Sequence, residues 1–363
     1  KWYGEDALEA SDRSRYHGAG VHMLFDRTIE ATGQRYTGSR KSNDFIRAAF
    51  RADRDIRANE GFSTLSVSQI LENVAHKQLI AGYESVGVAW PLFCAQHSMS
   101  DFKPHNRYRL DSSGSFRQVP SSGEIKHVSL SDDKYTKQLD TYGAILALNR
   151  QQMINDDLNA FMEIPSMLGR MAAIRIEEAV FSLLLSNPGD FFGAGNGNLT
   201  DAVFGIPGLN TLEQIFLNQI DPNGKPVLIA PKVLLVPTTL KVDADNVYAN
   251  TTVDQMLTGD EIARNPHKGK YPPAVSPYLN NTAITDENGN ALAGQSDTGY
   301  YLFADPAVRA AIAVGLLNGS RVPILESADT DFNTLGMQWR AYHDFGVGLE
   351  DPKAGAFSSG DAA

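Results

Sequence analysis

The sequence predicts an α+β fold, on three observations. A polar stretch from Asp101 to Tyr142 has the pattern of a long two-stranded hairpin. A run from Pro165 to Ser186 has the signature of one long helix, and short strands and helices alternate after Asn187.

The first sixty residues hold few apolar positions among scattered Gly, Ser and Arg, so residues 1–62 read as an extended arm rather than a domain. Within them Asn43 can cap a helix that runs to Ala58, with Ile46, Ala49, Phe50 and Ile56 at helical spacing. Arg47, Arg51 and Arg54 gather on another face of that helix. Such stripes are more often solvated than bound, so a solvated face is favoured over contact with DNA or an acidic neighbour. Ser66-Val-Ser-Gln69 fits a capping box for a helix reaching about Gly82, with Val67, Ile70, Leu71 and Val74 on one face.

In the hairpin, Lys103–Leu110 and Glu124–Leu130 have strand character and are separated by turn residues. Lys103, Arg107, Arg109, Arg117, Glu124, Lys126, Asp132 and Asp133 leave it little apolar surface to bury. A two-stranded hairpin is marginal alone in water, so one this polar is expected to be an arm stabilised by a neighbouring subunit.

For the long helix, Pro165 suits a first helical position, and Asp156 and Asp157 could open an earlier turn with a kink at the proline. Met167, Leu168, Met171, Ile174, Val180, Phe181 and Leu184 form the expected apolar stripe. Further on, Leu209–Ile220 reads as an amphipathic helix, Val233–Val236 as a buried strand, and Thr238 as the cap of a helix to about Val247. Asn265–Pro273 and Asp286–Gly299 read as loops, and Arg321–Ser327 and Leu335–Leu349 as closing strands.

Composition narrows the function. At 363 residues, 42% hydrophobic and 21% charged, the chain is long enough for a substantial core and for two or three domains. No apolar run approaches a membrane span, and the start, Lys-Trp-Tyr-Gly-Glu-Asp, lacks the apolar stretch of a signal peptide. One cysteine, Cys94, cannot form an internal disulfide, which fits folding in a reducing cytoplasm. The net charge of −11 is uneven: residues 1–62 carry 11 Lys+Arg against 10 Asp+Glu, so the acidity lies in the remainder. An acidic body repels nucleic acid rather than gripping it.

No motif supports catalysis. Gly193-Ala-Gly-Asn-Gly-Asn198 follows a helix rather than a strand and lacks the Gly-Lys-Ser/Thr of a phosphate loop, so it reads as a flexible loop. Cys94, His97 and His105 lack a fourth ligand at zinc spacing. His-Glu-x-x-His and Gly-x-Ser-x-Gly are absent. Glu177 and Glu178, adjacent on a helix, read as solvated charge rather than an acid/base pair.

A family resemblance then emerges from motifs in order along the chain. They are Asn73-Val-Ala-His-Lys-Gln-Leu79, Ser100-Asp-Phe-Lys-Pro-His-Asn-Arg-Tyr-Arg-Leu110, Gly123-Glu-Ile-Lys-His127 and Asn149-Arg-Gln-Gln-Met-Ile-Asn-Asp-Asp157. Ser276-Pro-Tyr-Leu279, Glu326-Ser-Ala-Asp-Thr-Asp-Phe-Asn-Thr-Leu-Gly336 and Arg340-Ala-Tyr-His-Asp-Phe-Gly346 follow. Together they resemble the capsid half of the prohead protease–major capsid fusions of tailed bacteriophages, with the Hong Kong 97-like (HK97-like) major capsid fold.

The resemblance implies a structural subunit with no catalytic residues, cofactor or metal. Residues 1–62 would be the N-terminal arm and 101–142 the E-loop lying across an adjacent subunit. Residues 63–100, 143–189 (with the spine helix) and 326–363 would form the peripheral domain, and 190–325 the axial domain. Implied partners are copies of the chain in pentamers and hexamers, a portal, decoration proteins, and double-stranded DNA touched non-specifically by Arg47, Arg51 and Arg54; no membrane is involved. The place is the virion, after assembly in the host bacterial cytoplasm, and a start at Lys1 fits cleavage from a longer precursor. Some relatives cross-link through a Lys–Asn isopeptide bond aided by a Glu. Here those Asn and Glu positions fall on Leu335 and Tyr342, with Asn333 close enough in sequence to be a substitute acceptor, and the expected shell is non-covalent. The rival readings are an encapsulin-like compartment and, more remotely, a cytosolic α/β hydrolase or nucleotide-binding enzyme.

Overall fold

In a computed structural model of the chain, residues 67–112, 130–149, 158–220, 224–253, 263–286, 288–329 and 336–361 are described, with parts of 25–52. In chain order the elements are α1 (Val67–Glu84), α2 (Trp90–Phe93), β1 (Cys94–Met99), β2 (His105–Ser112), β3 (Leu130–Lys137), β4 (Asp140–Asn149) and α3 (Leu158–Ser186). Then come β5 (Leu199–Thr200), α4 (Ile206–Leu217), β6 (Pro231–Val236), α5 (Lys241–Ala249), β7 (Thr252–Val253), β8 (Ala263–Arg264), β9 (Pro273–Val275) and β10 (Tyr300–Ala304). β11 (Ile312–Leu317), β12 (Ile324–Asp329), β13 (Gly336–Leu349) and β14 (Gly355–Ser358) complete the chain. The contacts divide it into two compact units, both helical and stranded.

The first unit comprises Lys1–Val86, Gly143–Ala172 and Val322–Tyr342. Its main core joins Leu79 of α1, Ile164 and Leu168 of α3, and Trp339 and Ala341 of β13, with Leu146 and Leu325 packed alongside. The two helices approach closely because each offers a glycine. A Cβ on Gly82 would strike the Ser166 carbonyl, and one on Gly169 would strike the Leu79 carbonyl. β12 pairs antiparallel with the first half of β13, from Ile324↔Tyr342 to Asp329↔Met337. A separate cluster of Phe25, Ile29, Phe45, Ala49 and Ala52 lies in the early segment, with the Phe25 and Phe45 rings edge-to-face at 6.0 Å. The sparse apolar count of that segment did not foretell it. Arg51 is helical and exposed there, whereas Arg47, Arg54 and the Ser66 cap lie outside the described residues.

The second unit comprises Gly87–Tyr142, Ala173–Arg321 and His343–Ala363. Its larger sheet runs β5-β14-β10-β6-β9. All five residues of β10, Tyr300-Tyr-Leu-Phe-Ala304, are buried, as expected of a central strand covered on both faces. Phe303 stacks on Phe93 at 5.0 Å, and Phe93 meets Phe181 of α3 edge-on at 5.9 Å. Elsewhere in the unit β11 lies between β1, which it meets in parallel, and the second half of β13, which it meets antiparallel.

Two expectations need correcting. The long helix starts at Leu158 and runs through Pro165 for 29 residues, roughly 43 Å at 1.5 Å per residue, instead of starting at the proline. Its buried face is also different. Leu168, Val180, Phe181 and Leu184 are buried as expected, joined by Ile164, Ala173 and Ile176, but Met167, Met171 and Ile174 are 53%, 48% and 41% exposed. The helix is apolar around most of its circumference, so period alone does not select the face; the neighbouring elements do. Asp156 and Asp157 lie outside the described residues.

Candidate functional site: the root of the polar hairpin

The hairpin is formed by β2 and β3, paired antiparallel from His105↔Lys137 at the root to Ser112↔Leu130. Its returning strand is Leu130–Lys137. The expected Glu124–Leu130 strand lies, apart from Leu130, outside the described residues, as does most of the turn. Among the described residues β2 and β3 make a two-stranded sheet of their own. Residues 103–137 hold seven Lys+Arg against four Asp+Glu, so the hairpin is cationic on a chain of net charge −11.

At the root a single carboxylate gathers groups from three strands. Glu350, just after β13, pairs with Lys137 of β3, and their side chains are only 8% and 4% exposed. Its Oε1 also lies 3.1 Å from His97 Nε2 on β1 and 3.4 Å from Arg107 Nη1 on β2. Arg107 Nη1 meets His97 Nε2 as well. One ring nitrogen cannot donate to Glu350 and accept from Arg107 at once, so the histidine serves one of them in each tautomer. Burial pushes the Glu350 carboxyl up, but hydrogen bonds from His97 and Lys137, with their charges, outweigh it and hold the group at about 2. Burial lowers the Lys137 ammonium, and the Glu350 hydrogen bond opposes that shift. The neighbouring Asp351 is paired with buried Arg309.

Backbone packing supplies the rest of the anchor. Gly346 and Gly348 of β13 leave bare backbone where the chain from Lys137 to Leu139 crosses. A Cβ on Gly346 would collide with the Gln138 carbonyl, and one on Gly348 with the Lys137 stem. Gly315 of β11 is the cross-strand partner of Gly346, and a Cβ there would strike the Met99 sulfur and lie 3.4 Å from Leu139. Leu139 is buried. Beyond it, Tyr142 stacks on Phe345 at 4.5 Å under the Arg175 guanidinium, 4.6 Å from the ring centre.

The other residues singled out in the sequence fall as follows. Cys94 is buried at the start of β1, and burial, then the Glu177 charge, raises its thiol well above the usual range. His97 faces Glu350, while His105 Nε2 is 2.7 Å from Asp101 Oδ1, so the two histidines serve different carboxylates. Among the described residues, no group of three or more His, Cys, Asp or Glu could hold a metal ion. Glu177 is a correction: it is buried, not solvated. It accepts from the Ala89 amide at 2.9 and 3.1 Å and from the Trp90 amide at 3.0 Å, satisfying donors at the start of α2. Glu178 pairs with Arg175 at 2.9 Å. The glycine loop is tied down by buried Asn198, which accepts from Gly193 and donates to the Phe191 and Pro352 carbonyls. Leu335 and Asn333 lie outside the described residues, and the Tyr342 hydroxyl donates to Glu326 at 3.2 Å.

A family profile described as phage capsid protein matches residues 134–357. The chain belongs to the phage capsid protein family. It is a structural, non-enzymatic capsid subunit, a component of multimeric shells. The solved mature capsid of bacteriophage PhiM1 is similar at 11% identity and a TM-score of 0.51, over 76% of this chain and 87% of that one. This likeness shows the HK97-like fold. A Mycobacterium phage Adephagia structure matches at 12% identity and a TM-score of 0.48, over 79% and 90% of the two chains. A virus-like particle from Pyrococcus furiosus matches at 10% identity and 0.46, over 79% and 98%. No curated protein sequence matches significantly.

The sequence reading missed Glu350, Lys137, Gly346 and Gly348. One signal was present: Gly346-Val-Gly348 inside a strand pattern marks close backbone approach.

Proposed function

We propose that this capsid subunit tiles a closed icosahedral shell of pentamers and hexamers around double-stranded DNA, and that its β2–β3 hairpin is the arm that ties each subunit to the next. The observation that carries the arm is the hairpin itself: strongly polar, and paired only with itself among the described residues. Two strands without a packed face are marginal alone, and a neighbouring copy supplies what is missing. In this reading residues 101–142 are the E-loop, and 1–62 the N-terminal arm. Residues 63–100, 143–189 and 326–363 form the peripheral domain, and 190–325 form the axial domain around the symmetry centres. The acidic body suits a container that must release its genome, with Arg47, Arg51 and Arg54 the candidates for inner-surface phosphate contact. Portal and decoration proteins complete the virion, which is assembled in the host bacterial cytoplasm, and the shell is held non-covalently.

The test of the arm replaces Ser112–Gly123 with a short Gly/Ser turn. The subunit should keep its melting temperature while assembly fails or gives fragile particles. Heat-resistant shells of normal size from that variant would remove the arm from the account.

A further inference from the structure

Among the described residues β2 and β3 pair only with each other, so β-pairing alone does not say which way the hairpin leaves the body. We propose that Glu350 is the positioning residue that sets this direction, by drawing His97 of β1, Arg107 of β2 and Lys137 of β3 onto one carboxylate at the root. The proposal rests on the reading of the hairpin as an intersubunit arm and adds what aims it.

The geometry divides the work. Lys137 is enclosed, and its stem crosses the bare backbone of Gly348, so the returning strand is held by both packing and charge. Arg107 is on the outgoing strand and 56% exposed, held at Glu350 by charge. The Glu350 carboxylate engages both strands and the body strand β1 together. The Ala311 carbonyl in turn fixes Glu350, accepting from its amide at 2.7 Å. Without the negative charge, Arg107 and buried Lys137 would face each other as like charges, and β2 would be pushed outward while β3 stayed seated. The hairpin would remain a hairpin but lose its single orientation. That matters for a shell, because an arm pointing in many directions loses the effective concentration that a fixed one has for its neighbour.

The test measures orientation in the unassembled subunit. Spin labels go on Asn106→Cys, exposed on the outgoing strand β2, and Val308→Cys, exposed in the same unit; native Cys94 is buried and does not compete. The unaltered root should give one narrow distance distribution. Glu350→Gln should broaden it about twofold and lower the melting temperature. Arg107→Gln is at the surface and folds in any case; it should broaden the distribution with the melting temperature unchanged, a result that a merely stabilising pair would not give. Distributions as narrow as the original in Arg107→Gln, whatever the fate of Glu350→Gln, would overturn the proposal. The arm reading fails separately, through normal shells from the tip-replaced chain, because these distances are read before any neighbour is present.

Discussion

Glu350 and Lys137 meet as a closed ion pair where the returning strand of the hairpin enters the body, 213 positions apart in the chain. Removing one partner of such a pair leaves the other buried and uncompensated. Glu350→Gln should therefore cost about 3–5 kcal/mol of folding stability. A fall below about 1 kcal/mol in urea unfolding would show that the pair is open to water.

The same carboxyl sets an acid dependence. Its folded value, about 2, lies below its ordinary 4.5, so its contribution is fully present above about 4.5 and is lost as the pH falls toward 2. Urea midpoints from pH 6 to pH 3 should show the lead of the unaltered protein over Glu350→Gln shrinking below pH 4.5. A constant lead across that range would contradict the assignment.

The glycines under the root give a ranked prediction. Gly346→Ala meets a backbone carbonyl that cannot move alone and should cost about 1–3 kcal/mol, whereas Gly315→Ala meets the flexible Met99 side chain and should cost less. Calorimetry of the two variants checks the order, and equal losses would count against a close crossing at Gln138.

Gly169→Ala sets two effects against each other. Alanine favours a helix interior by about 1 kcal/mol over glycine, but here its Cβ would strike the Leu79 carbonyl and lie 2.8 Å from the Tyr83 amide nitrogen. Overpacking should win, with a net loss of about 1–2 kcal/mol in thermal unfolding. A stabilised variant would mean that α1 and α3 are less closely docked.

Much of the architecture was legible because it is local. Val233–Val236, the closing strands and the long helix carry their own periodicity, and the hairpin carries its own turn residues and polarity. The root was not legible, because it joins β1, β2, β3 and the end of β13, and no local pattern links Lys137 to Glu350. The buried role of Glu177 was hidden for the same reason: its amide donors lie 87 and 88 positions earlier. The buried face of α3 was misread because Met167, Met171 and Ile174 satisfy the helical period as well as the residues that are buried.

The central claim is that the chain is a shell-building subunit, and electron microscopy of the protein expressed with its assembly factors tests it most directly. The account expects closed icosahedral particles whose projections resolve rings of five and six subunits. A chain that stays monomeric by sedimentation under every assembly condition, with no particles on the grid, would contradict it.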